Sequence, residues 1–469
     1  MQKKTKIVAT IGPATESKSQ LLKLMRAGMN VARLNFSHGD FAEHGARVEN
    51  IRKIEKEYGI RTAILQDLGG VKLRIGDFIE DQITLKKGQK FILTTKKIKG
   101  DENKVYINYK KLPKEIEIGQ IILLDDGTKK LKTIAINGNE VITKVIDGGM
   151  IRSRRGVNIP NARLSVSALT PKDKKDLEFG FKYDVDFVAI SFVRCAKDIL
   201  QLRKLLEKNN SKAQIVAKIE TPEAIENIKE IISATDVIMV ARGDLAVEIP
   251  AQEVPHLQKM MIKECRIAGK PVIVATQMME SMIKAPVPTR AEVADVANAI
   301  LDGTDAIMLS AETTVGDFPV ETVSMMSDIA KRTEQEIKYK IVNDNEKYTK
   351  KTVNAVSRSV IQTALDVQAK FIIALTESGF TARKISRYRP SQLIIALTPE
   401  EKTSKQLNIS YGCYSEKISG FKTVTETVTE TKNILLQKKL VKKGDKIVIA
   451  AGVPFGKSGT TNMMIVENI

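Results

Sequence analysis

The sequence predicts an α/β protein: a parallel (β/α)8 TIM barrel with an inserted small antiparallel β-barrel lid domain and a C-terminal α/β domain. Three observations support this prediction. Eight short apolar segments that end in polar residues alternate with helical patterns. After the third segment, a stretch of short alternating runs and turn signals interrupts the repetition. A polar, helix-prone segment then leads into a second alternation of helices and strands.

The length of the chain supports more than one domain, because single hydrophobic cores stop growing beyond roughly 250–300 residues and this chain has 469. We assign residues 1–70 and 170–335 to the barrel, 71–169 to the inserted lid and 350–469 to the C-terminal domain. The boundary before the last domain falls in the polar segment 331–351.

The barrel prediction is based on eight strand-like segments: Lys6–Thr10, Asn30–Phe36, Thr62–Leu65, Asp186–Phe192, Gln214–Glu220, Asp236–Val240, Lys270–Ala275 and Ala306–Leu309. Helical patterns lie between most of them, at Ser19–Ala27, Phe41–Tyr58, Ala196–Asn209, Ala224–Ser233, Gln252–Ala268 and Thr289–Asp302. The alternative is a doubly wound open sheet. No Gly-x-Gly-x-x-Gly motif opens a helix after the first strand, which makes that alternative less favoured.

The two other domains are predicted from the same kind of pattern. The lid carries alternating runs separated by turn signals, at Gln82–Leu85, Lys90–Leu93, Ile121–Leu124, Lys132–Ile136 and Glu140–Val145. An insertion at the rim of a barrel is well placed to exclude water from a site. The C-terminal domain alternates helices and strands at Val353–Val367, Phe371–Leu375, Thr381–Tyr388, Leu393–Leu397 and Lys446–Ala450.

The composition is that of an ordinary globular protein, with 42% apolar and 28% charged residues. No apolar run approaches the ~20 residues that a membrane span needs, so we expect no membrane segment. The net charge of +19 could suggest nucleic-acid binding, but the lysines are scattered and aromatic residues make up only 5%. We therefore expect no nucleic-acid partner and an attraction for small phosphorylated anions. Three distant cysteines in no metal spacing fit a reducing cytoplasm.

Polar residues are concentrated at the ends of the predicted strands, where the chemistry of a (β/α)8 barrel takes place. They are Arg33, Asn35, Ser37, Asp67, Lys218, Glu220, Asp244 and Thr276. Lys218 and Glu220 are two residues apart on one strand and should project from the same face. The carboxylate could hold a divalent metal while the lysine neutralises an anion. A salt bridge that caps a core strand is the alternative for this pair.

Six ordered motifs resemble those of the pyruvate kinase family, over essentially the whole chain: Arg33–Gly39, Ile215–Ile225, Met239–Leu245, Ala275–Ser281, Pro288–Glu292 and Asp295–Gly303. The resemblance implies phosphoryl transfer from phosphoenolpyruvate to ADP, giving pyruvate and ATP in the last step of glycolysis. It also implies a homotetramer. Two alternatives remain open: an enzyme that handles phosphoenolpyruvate or an enolate without nucleotide, and a catalytically silent sensor of phosphorylated metabolites.

The resemblance implies a role for each matched position. Glu220 and Asp244 would bind Mg²⁺ (or Mn²⁺). The catalytic positions would be Lys218, Arg33 and Thr276, with Thr276 working through water in a proton relay. The substrate would also contact Gly243 and Asp244. Nucleotide contacts match Asn35, His38, Arg74 and Arg155, and the effector loop matches Thr376, Ser378, Gly379 and Thr381.

One motif departs from the usual family pattern. Many relatives read Asp-Thr-Lys-Gly-Pro-Glu and require K⁺, whereas this chain reads Asp67-Leu68-Gly69-Gly70-Val71-Lys72. Asn35, Ser37, Asp67 and Leu68 match a K⁺-type site, but an ammonium at Lys72 could supply the monovalent charge. We therefore predict activity without K⁺. The alternative is that Lys72 is a surface lysine at the lid hinge.

Two glycine-containing loops in the C-terminal domain could bind anions. In the first, residues 376–381, backbone amides and hydroxyls could receive a phosphate. Glu377 within it should repel the second phosphate of a bisphosphate. We therefore predict a sugar monophosphate or nucleotide monophosphate as effector, and not fructose 1,6-bisphosphate. The second loop, Gly452–Thr461, does not have P-loop spacing, and turn formation alone explains it equally well.

Overall fold

The computed structural model describes residues 2–160, 162, 164–337, 351–456 and 459–469. Most of the polar segment in which the sequence predicts a domain boundary lies outside the described residues, as do Lys457 and Ser458 of the second glycine-containing loop. No helix in the described part of the chain is both long and apolar enough to cross a membrane.

The strands, in chain order, are β1 (Lys6–Thr10), β2 (Val31–Asn35), β3 (Ala63–Asp67), β4 (Gln82–Leu85), β5 (Lys90–Thr94), β6 (Lys104–Tyr106), β7 (Ile121–Leu124), β8 (Lys129–Asn137), β9 (Glu140–Asp147), β10 (Gly149–Arg152), β11 (Val157–Asn158), β12 (Phe187–Ile190), β13 (Gln214–Ile219), β14 (Val237–Ala241), β15 (Val272–Ala275), β16 (Ala306–Leu309), β17 (Phe371–Leu375), β18 (Leu393–Thr398), β19 (Cys413–Lys417), β20 (Lys446–Ala451) and β21 (Met463–Asn468).

The α-helices are α1 (Lys18–Ala27), α2 (Phe41–Tyr58), α3 (Leu112–Glu115), α4 (Pro171–Lys182), α5 (Ala196–Lys208), α6 (Pro222–Glu226), α7 (Ile228–Ala234), α8 (Arg242–Glu248), α9 (Val254–Ala268), α10 (Arg290–Asp302), α11 (Ala311–Thr314), α12 (Pro319–Glu336), α13 (Thr352–Asp366), α14 (Phe380–Ser386), α15 (Glu401–Gln406) and α16 (Val424–Gln437). Short 3₁₀ helices lie at Ala251–Glu253, Glu280–Ile283 and Leu407–Ile409.

Eight parallel strands within the described residues close into a barrel, in the order β1-β16-β15-β14-β13-β12-β3-β2. This confirms the predicted barrel and excludes the open sheet. The strands are short and almost wholly apolar because both of their faces are buried. One set of their side chains fills the barrel interior, and the other packs against the surrounding helices. All eight carboxyl ends therefore meet at one rim.

The helix after β13 begins as the sequence indicates but does not run on as predicted. The Thr221 side chain accepts a hydrogen bond from the Ala224 amide (3.3 Å), and Pro222 is the first residue of the helix. The predicted helix Ala224–Ser233 is wrong as a single element, because the chain breaks at Asn227 into α6 and α7. The Asn227 side chain donates to the carbonyl of Arg194 (2.9 Å), a contact that ties the break to the neighbouring strand end.

The inserted lid has its own hydrophobic core, whose buried residues run from Ile75 to Ile159. Ala168 and Leu169, at the end of the predicted lid, pack in the barrel core instead. Its described residues form a six-stranded sheet in the order β11-β7-β8-β9-β5-β6 and a two-stranded ribbon of β10 and β4. The pairing is antiparallel except between β5 and β6, which run parallel. Isolated bridges such as Arg74 to Gly156 link the remaining edges. The sequence missed β6, β10 and β11, which have three, four and two residues, although the equally short β4 and β7 were predicted with the bounds observed.

The C-terminal domain is built on a sheet that, over its described residues, has the order β19-β18-β17-β20-β21. All of its strands are parallel except β21, which pairs antiparallel with β20. The domain packs against the amino-terminal face of the barrel. There Arg389 forms a buried ion pair with Asp305 (2.8 Å), and the ammonium of Lys6 donates to the carbonyl of Cys413 (2.5 Å). This contact surface lies opposite the rim that carries the polar strand ends.

Candidate active site

Lys218 and Glu220 lie at the end of β13 and project together, as predicted. Their side chains are in contact, with 2.8 Å between Lys218 Nζ and Glu220 Oε1. The Lys218 ammonium also donates to Ser191 Oγ (2.8 Å) and lies 3.6 Å from Asp67 Oδ1. Burial alone would lower the pKa of Lys218, but the carboxylates of Asp67 and Glu220 outweigh it and raise the pKa. The Lys218 side chain therefore remains charged although it is largely buried.

Arg33 places a second cation next to the same carboxylate. Its Nε donates to Asp67 Oδ2 (2.7 Å), and its Nη1 donates to Thr10 Oγ1 (2.9 Å). Asp67 is 1% exposed, and burial alone would raise its pKa, but Lys218 and Arg33 lower it. The result is a row of alternating charges across the barrel rim, with the carboxylate of Asp67 holding two cations side by side.

Glu220 and Asp244 form a like-charged pair. Burial of Glu220 raises its pKa, Lys218 opposes this effect and the charge of Asp244 adds to it. The second oxygen of Glu220 accepts from the Phe192 amide (2.8 Å), while Asp244 is exposed in the first turn of α8. No group of three or more His, Cys, Asp or Glu among the described residues is arranged to hold a metal. The pair fits Mg²⁺, which takes few protein carboxylates and keeps positions for other oxygens.

Thr276 lies in a turn with unusual backbone geometry. Thr276 and Gln277 both have positive φ, 71° and 52°. The Thr276 hydroxyl accepts from the Gly243 amide (2.7 Å) and donates to the Ala275 carbonyl (2.6 Å). The turn thus joins two of the predicted site positions, Gly243 and Thr276, through one hydrogen bond.

The guanidinium of Arg242 holds this turn. It donates to the carbonyls of Thr276 (2.7 Å) and Ala275 (3.4 Å) and pairs with Asp295 at 2.8 Å. Arg242 and Asp295 are functional residues that were not predicted, although both belong to motifs of the family resemblance. The available signal for Arg242 was its position directly before Gly243.

A cavity of ≈ 540 Å³ lies between the lid and the barrel rim. Of the predicted residues, it is lined by Lys72, Arg74, Arg155 and Asp244. The other predicted rim residues are not among those that line it: Arg33, Asn35, Ser37, His38, Asp67, Leu68, Lys218, Glu220, Gly243 and Thr276. The structure thus divides the predicted residues between a cluster in the barrel mouth and a basic wall contributed by the lid.

Electrostatic interactions connect the two groups. The pKa of His38 is lowered by burial and by the charges of Lys72, Arg74 and Arg33. Burial also lowers the pKa of Lys72, as do Arg74 and Lys218. Cations of the barrel and of the lid therefore act on the same place beside His38, where an anionic ligand would offset their charge.

The positions that match a K⁺-type site already have partners within the protein. Asn35 Oδ1 accepts from the Ser37 amide (3.1 Å), and the Leu68 carbonyl accepts from Ser191 Oγ (2.9 Å). Asp67 is engaged by two cations, as described above. Lys72 follows Leu68 closely in sequence and contributes its charge from the cavity wall.

Two further residues, Glu248 and Arg194, connect the barrel to the lid. Asn158 of the lid donates to Glu248 at the end of α8 (2.7 Å), and the Arg194 guanidinium donates to the carbonyls of Leu164 and Val166. Ser191, which binds Lys218, could have been found from its position at the end of β12. The contact between Asn158 and Glu248 joins residues 90 positions apart and leaves no signal in the sequence.

The predicted effector loop follows β17. A small cavity there is lined by Thr376, Glu377, Ser378 and Thr381, together with the stacked rings of Phe421 and Phe455. Thr381 Oγ1 is hydrogen-bonded to Thr461 Oγ1 (2.8 Å), so the two glycine-containing loops meet. Gly379 has a φ of 77°, and a Cβ at this position would come within 2.5 Å of Arg383 Nη1. The positive φ therefore favours glycine here, and a larger residue would also displace the end of the Arg383 side chain.

Comparison with known protein families agrees with this architecture. The family model described as "Pyruvate kinase, barrel domain" matches residues 2–323, and the model described as "Pyruvate kinase, alpha/beta domain" matches residues 354–467. The chain belongs to the pyruvate kinase family. This membership confirms the family resemblance and places the protein among the phosphotransferases.

Individual pyruvate kinases match over their length. The chain is 46% identical to a pyruvate kinase of Geobacillus stearothermophilus, with 100% of this chain and 81% of the relative covered. It is 45% identical to a pyruvate kinase of Clostridium acetobutylicum, with 99% of both chains covered. A crystal structure of a pyruvate kinase from Cryptosporidium parvum superimposes with a TM-score of 0.94 at 36% identity, over 100% of this chain and 96% of the other.

Proposed function

We propose that this pyruvate kinase transfers the phosphoryl group of phosphoenolpyruvate to ADP in the presence of Mg²⁺ (or Mn²⁺) and releases pyruvate and ATP. The observation that carries the proposal is the rim cluster in which Lys218 lies between Asp67 and Glu220, while the charge of Asp244 raises the pKa of Glu220. We place the reaction at the last step of glycolysis in the cytoplasm.

Glu220 and Asp244 would hold the divalent metal. When bound, Mg²⁺ would supply positive charge and orient the oxygens of the substrate. The like-charge repulsion within this pair supports the assignment, since a dication removes it. Two protein carboxylates leave the remaining positions of an octahedral ion for substrate and water.

The barrel residues act on the phosphoryl group and on the enolate. Lys218 keeps its ammonium charged and places it where negative charge develops, and Arg33 binds the phosphoryl oxygens from the next side. The Gly243 amide and Thr276 would hold the carboxylate end. Thr276 would also pass a proton to the enolate through water, because a threonine hydroxyl is too weak an acid to do so alone at neutral pH.

The lid residues would bind the nucleotide. Arg74 and Arg155 line the cavity. Asn35 is the last residue of β2, and His38 lies in the following turn, where the charges of Lys72 and Arg74 act on it. The lowered pKa of His38 keeps its ring neutral at pH 7, so it would act as a hydrogen-bonding group and not as a cation. The exposed Arg155 pairs with Asp125 (3.4 Å), a contact that a phosphate could replace.

The test is pyruvate formation from phosphoenolpyruvate with ADP and Mg²⁺. Lys218→Met should lower kcat by about 10²-fold or more, since a single electrostatic contact to a transition state has that weight. Lys229→Met, at an exposed lysine on α7, is the matched control and should leave the rate unchanged. If Lys218→Met keeps most of the phosphoryl-transfer rate, the assigned role of Lys218 is wrong.

We further propose that the enzyme does not need K⁺, because Lys72 supplies a monovalent charge at the cavity wall. The partners already held by Asn35, Asp67 and Leu68 support this proposal. Replacing K⁺ by tetramethylammonium should leave the native rate unchanged. Lys72→Glu should make activity dependent on K⁺, whereas Lys87→Glu at an exposed lid lysine should not. A collapse of the native rate without K⁺ would refute the proposal.

Regulation and assembly are proposed from the family resemblance and from the loop. The cavity beside Glu377 would accept a sugar monophosphate or nucleotide monophosphate, and the carboxylate would repel a second phosphate. Activation by fructose 1,6-bisphosphate at micromolar concentration would contradict this. We expect a homotetramer, which sedimentation equilibrium of the native chain would measure.

A further inference from the structure

A second, smaller cavity lies at the junction of the C-terminal domain with the barrel, on the face opposite the active-site rim. Its lining includes Lys270, Asp305, Arg383, Arg389 and Ser410. Asp305 directly precedes β16, so the cavity lies beneath the amino-terminal ends of the strands. Its free volume of ≈ 10 Å³ corresponds to about one water-sized occupant. We call it the junction cavity.

Hydrogen-bonding groups without partners surround the junction cavity. The Ser410 side chain is 0% exposed, and its hydroxyl contacts no hydrogen-bond partner among the described residues. Arg389 is 8% exposed, and its Nε has no acceptor in the same set of residues. Nη1 of Arg383 is likewise shielded from solvent and without an acceptor there. Buried donors are almost always satisfied, and each unsatisfied one is costly, so an acceptor is expected at this place.

The charges at the cavity call for a negatively charged acceptor. Its carboxylate lining residue, Asp305, is already bound by two nitrogens of Arg389, at 2.8 and 2.9 Å. The cations around it repel one another. Among the described residues, five cationic side chains line the cavity beside this carboxylate: Arg266, Lys270, Arg383, Arg387 and Arg389. Burial lowers the pKa of Lys270, and the charge of Arg383 acts in the same direction. A neutral water would satisfy hydrogen bonds but would not offset this positive charge.

We propose that the junction cavity binds a monatomic anion of the size and charge of chloride. The ion accepts hydrogen bonds from Ser410 Oγ, Arg389 Nε and Arg383 Nη1. The volume favours a halide over phosphate or sulfate, which need several times the space of one water. Arg383 also donates to the Ser378 carbonyl (2.9 Å), so the ion and the effector loop share one side chain.

The direct test is anomalous diffraction from crystals of the native protein soaked in sodium bromide. Bromide replaces chloride and scatters anomalously, and a peak is expected in the junction cavity beside Ser410. No peak there overturns the proposal, as does a peak for sulfate without one for bromide.

Thermal unfolding tests the site in solution. Sodium chloride should raise the Tm of the native chain in a saturable way, beyond sodium gluconate at equal ionic strength. Ser410→Ala should raise the chloride concentration for half of the effect by about tenfold, since one hydrogen bond to a charged group is lost. Ser357→Ala is the matched control, because Ser357 has an equally buried, unpartnered hydroxyl away from the cavity.

Each outcome decides the proposal. A saturable chloride effect that Ser357→Ala keeps and Ser410→Ala weakens supports it. An effect that Ser410→Ala retains in full overturns it. A bromide peak with no saturable stabilisation in solution marks an adventitious ion only and also overturns it. If Ser410→Ala does not fold, the diffraction experiment on the native chain is decisive.

Discussion

Arg242 offers a sharp test of how the backbone of the active site is held. Its side chain is 13% exposed and binds the carbonyls of Ala275 and Thr276. Two consecutive residues, Thr276 and Gln277, lie in the left-handed region, which costs roughly 1–2 kcal/mol for each non-glycine residue. The turn therefore stores about 2–4 kcal/mol, which the hydrogen bonds of Arg242 help to offset.

Arg242→Met should let the turn relax and move the Thr276 hydroxyl. A displacement of about 1 Å at a catalytic group costs on the order of 10²-fold in rate, so kcat should fall by that amount. Arg242→Lys should lower kcat almost as much. It keeps the charge facing Asp295 but has no planar fork to reach both carbonyls.

A second substitution distinguishes the loss of the Arg242 hydrogen bonds to the turn from a general loss of folding. Gln277 is exposed, so Gln277→Gly changes the backbone preference and little else. In the Arg242→Met background it should restore kcat by about fivefold, because glycine adopts positive φ without the penalty. Alone, it should leave kcat near the native value. The reasoning is refuted if the double variant is no faster than Arg242→Met, in the same pyruvate-formation assay.

Three other predictions concern the lid, the core and the effector loop. Glu248→Ala should raise the KM for ADP severalfold by removing the contact with Asn158, and a double-mutant cycle with Asn158→Ala should show non-additivity. Lys6 is fully buried, which lowers its pKa from 10.5 to about 8. The unfolded chain then holds more protons between these pH values, so stability should rise with pH by about 3 kcal/mol across that window, and urea unfolding of Lys6→Met should lack the rise. Gly379→Ala should lower Tm and weaken any effector response, since its Cβ would meet Arg383.

The elements of the fold that could be predicted are those that a local hydrophobic pattern specifies. β1 and β16 have the bounds predicted, because short β-branched runs between polar residues identify buried parallel strands. The rim cluster followed from the same reasoning, since parallel strands bring their carboxyl ends to one edge. Lys218 and Glu220 were therefore located, together with their shared face, before any contact was known.

The features that could not be predicted depend on contacts between residues that are distant in sequence and meet only in the folded protein. The contact from Lys218 to Ser191 and the clamp of Arg242 on β15 join residues 27 and 33 or more positions apart. The break at Asn227 follows from a contact with Arg194, since the local pattern continues as a helix. β11 has only two residues and exists because β7 offers it an edge. The sequence shows the chemistry of each residue, but its partners are set by the fold.

The position of the insertion has one more consequence. The cationic side chains of the predicted site come from two domains: Arg33 and Lys218 lie at the barrel rim, whereas Lys72, Arg74 and Arg155 line the cavity from the lid. Without an anion between them, the two groups of cations repel each other. When an anion is bound, both groups are attracted to it. An anionic ligand would thus draw the lid towards the barrel by electrostatic attraction. Because charges farther apart than about 8 Å are screened at physiological salt, this force would act only over the last step of closure.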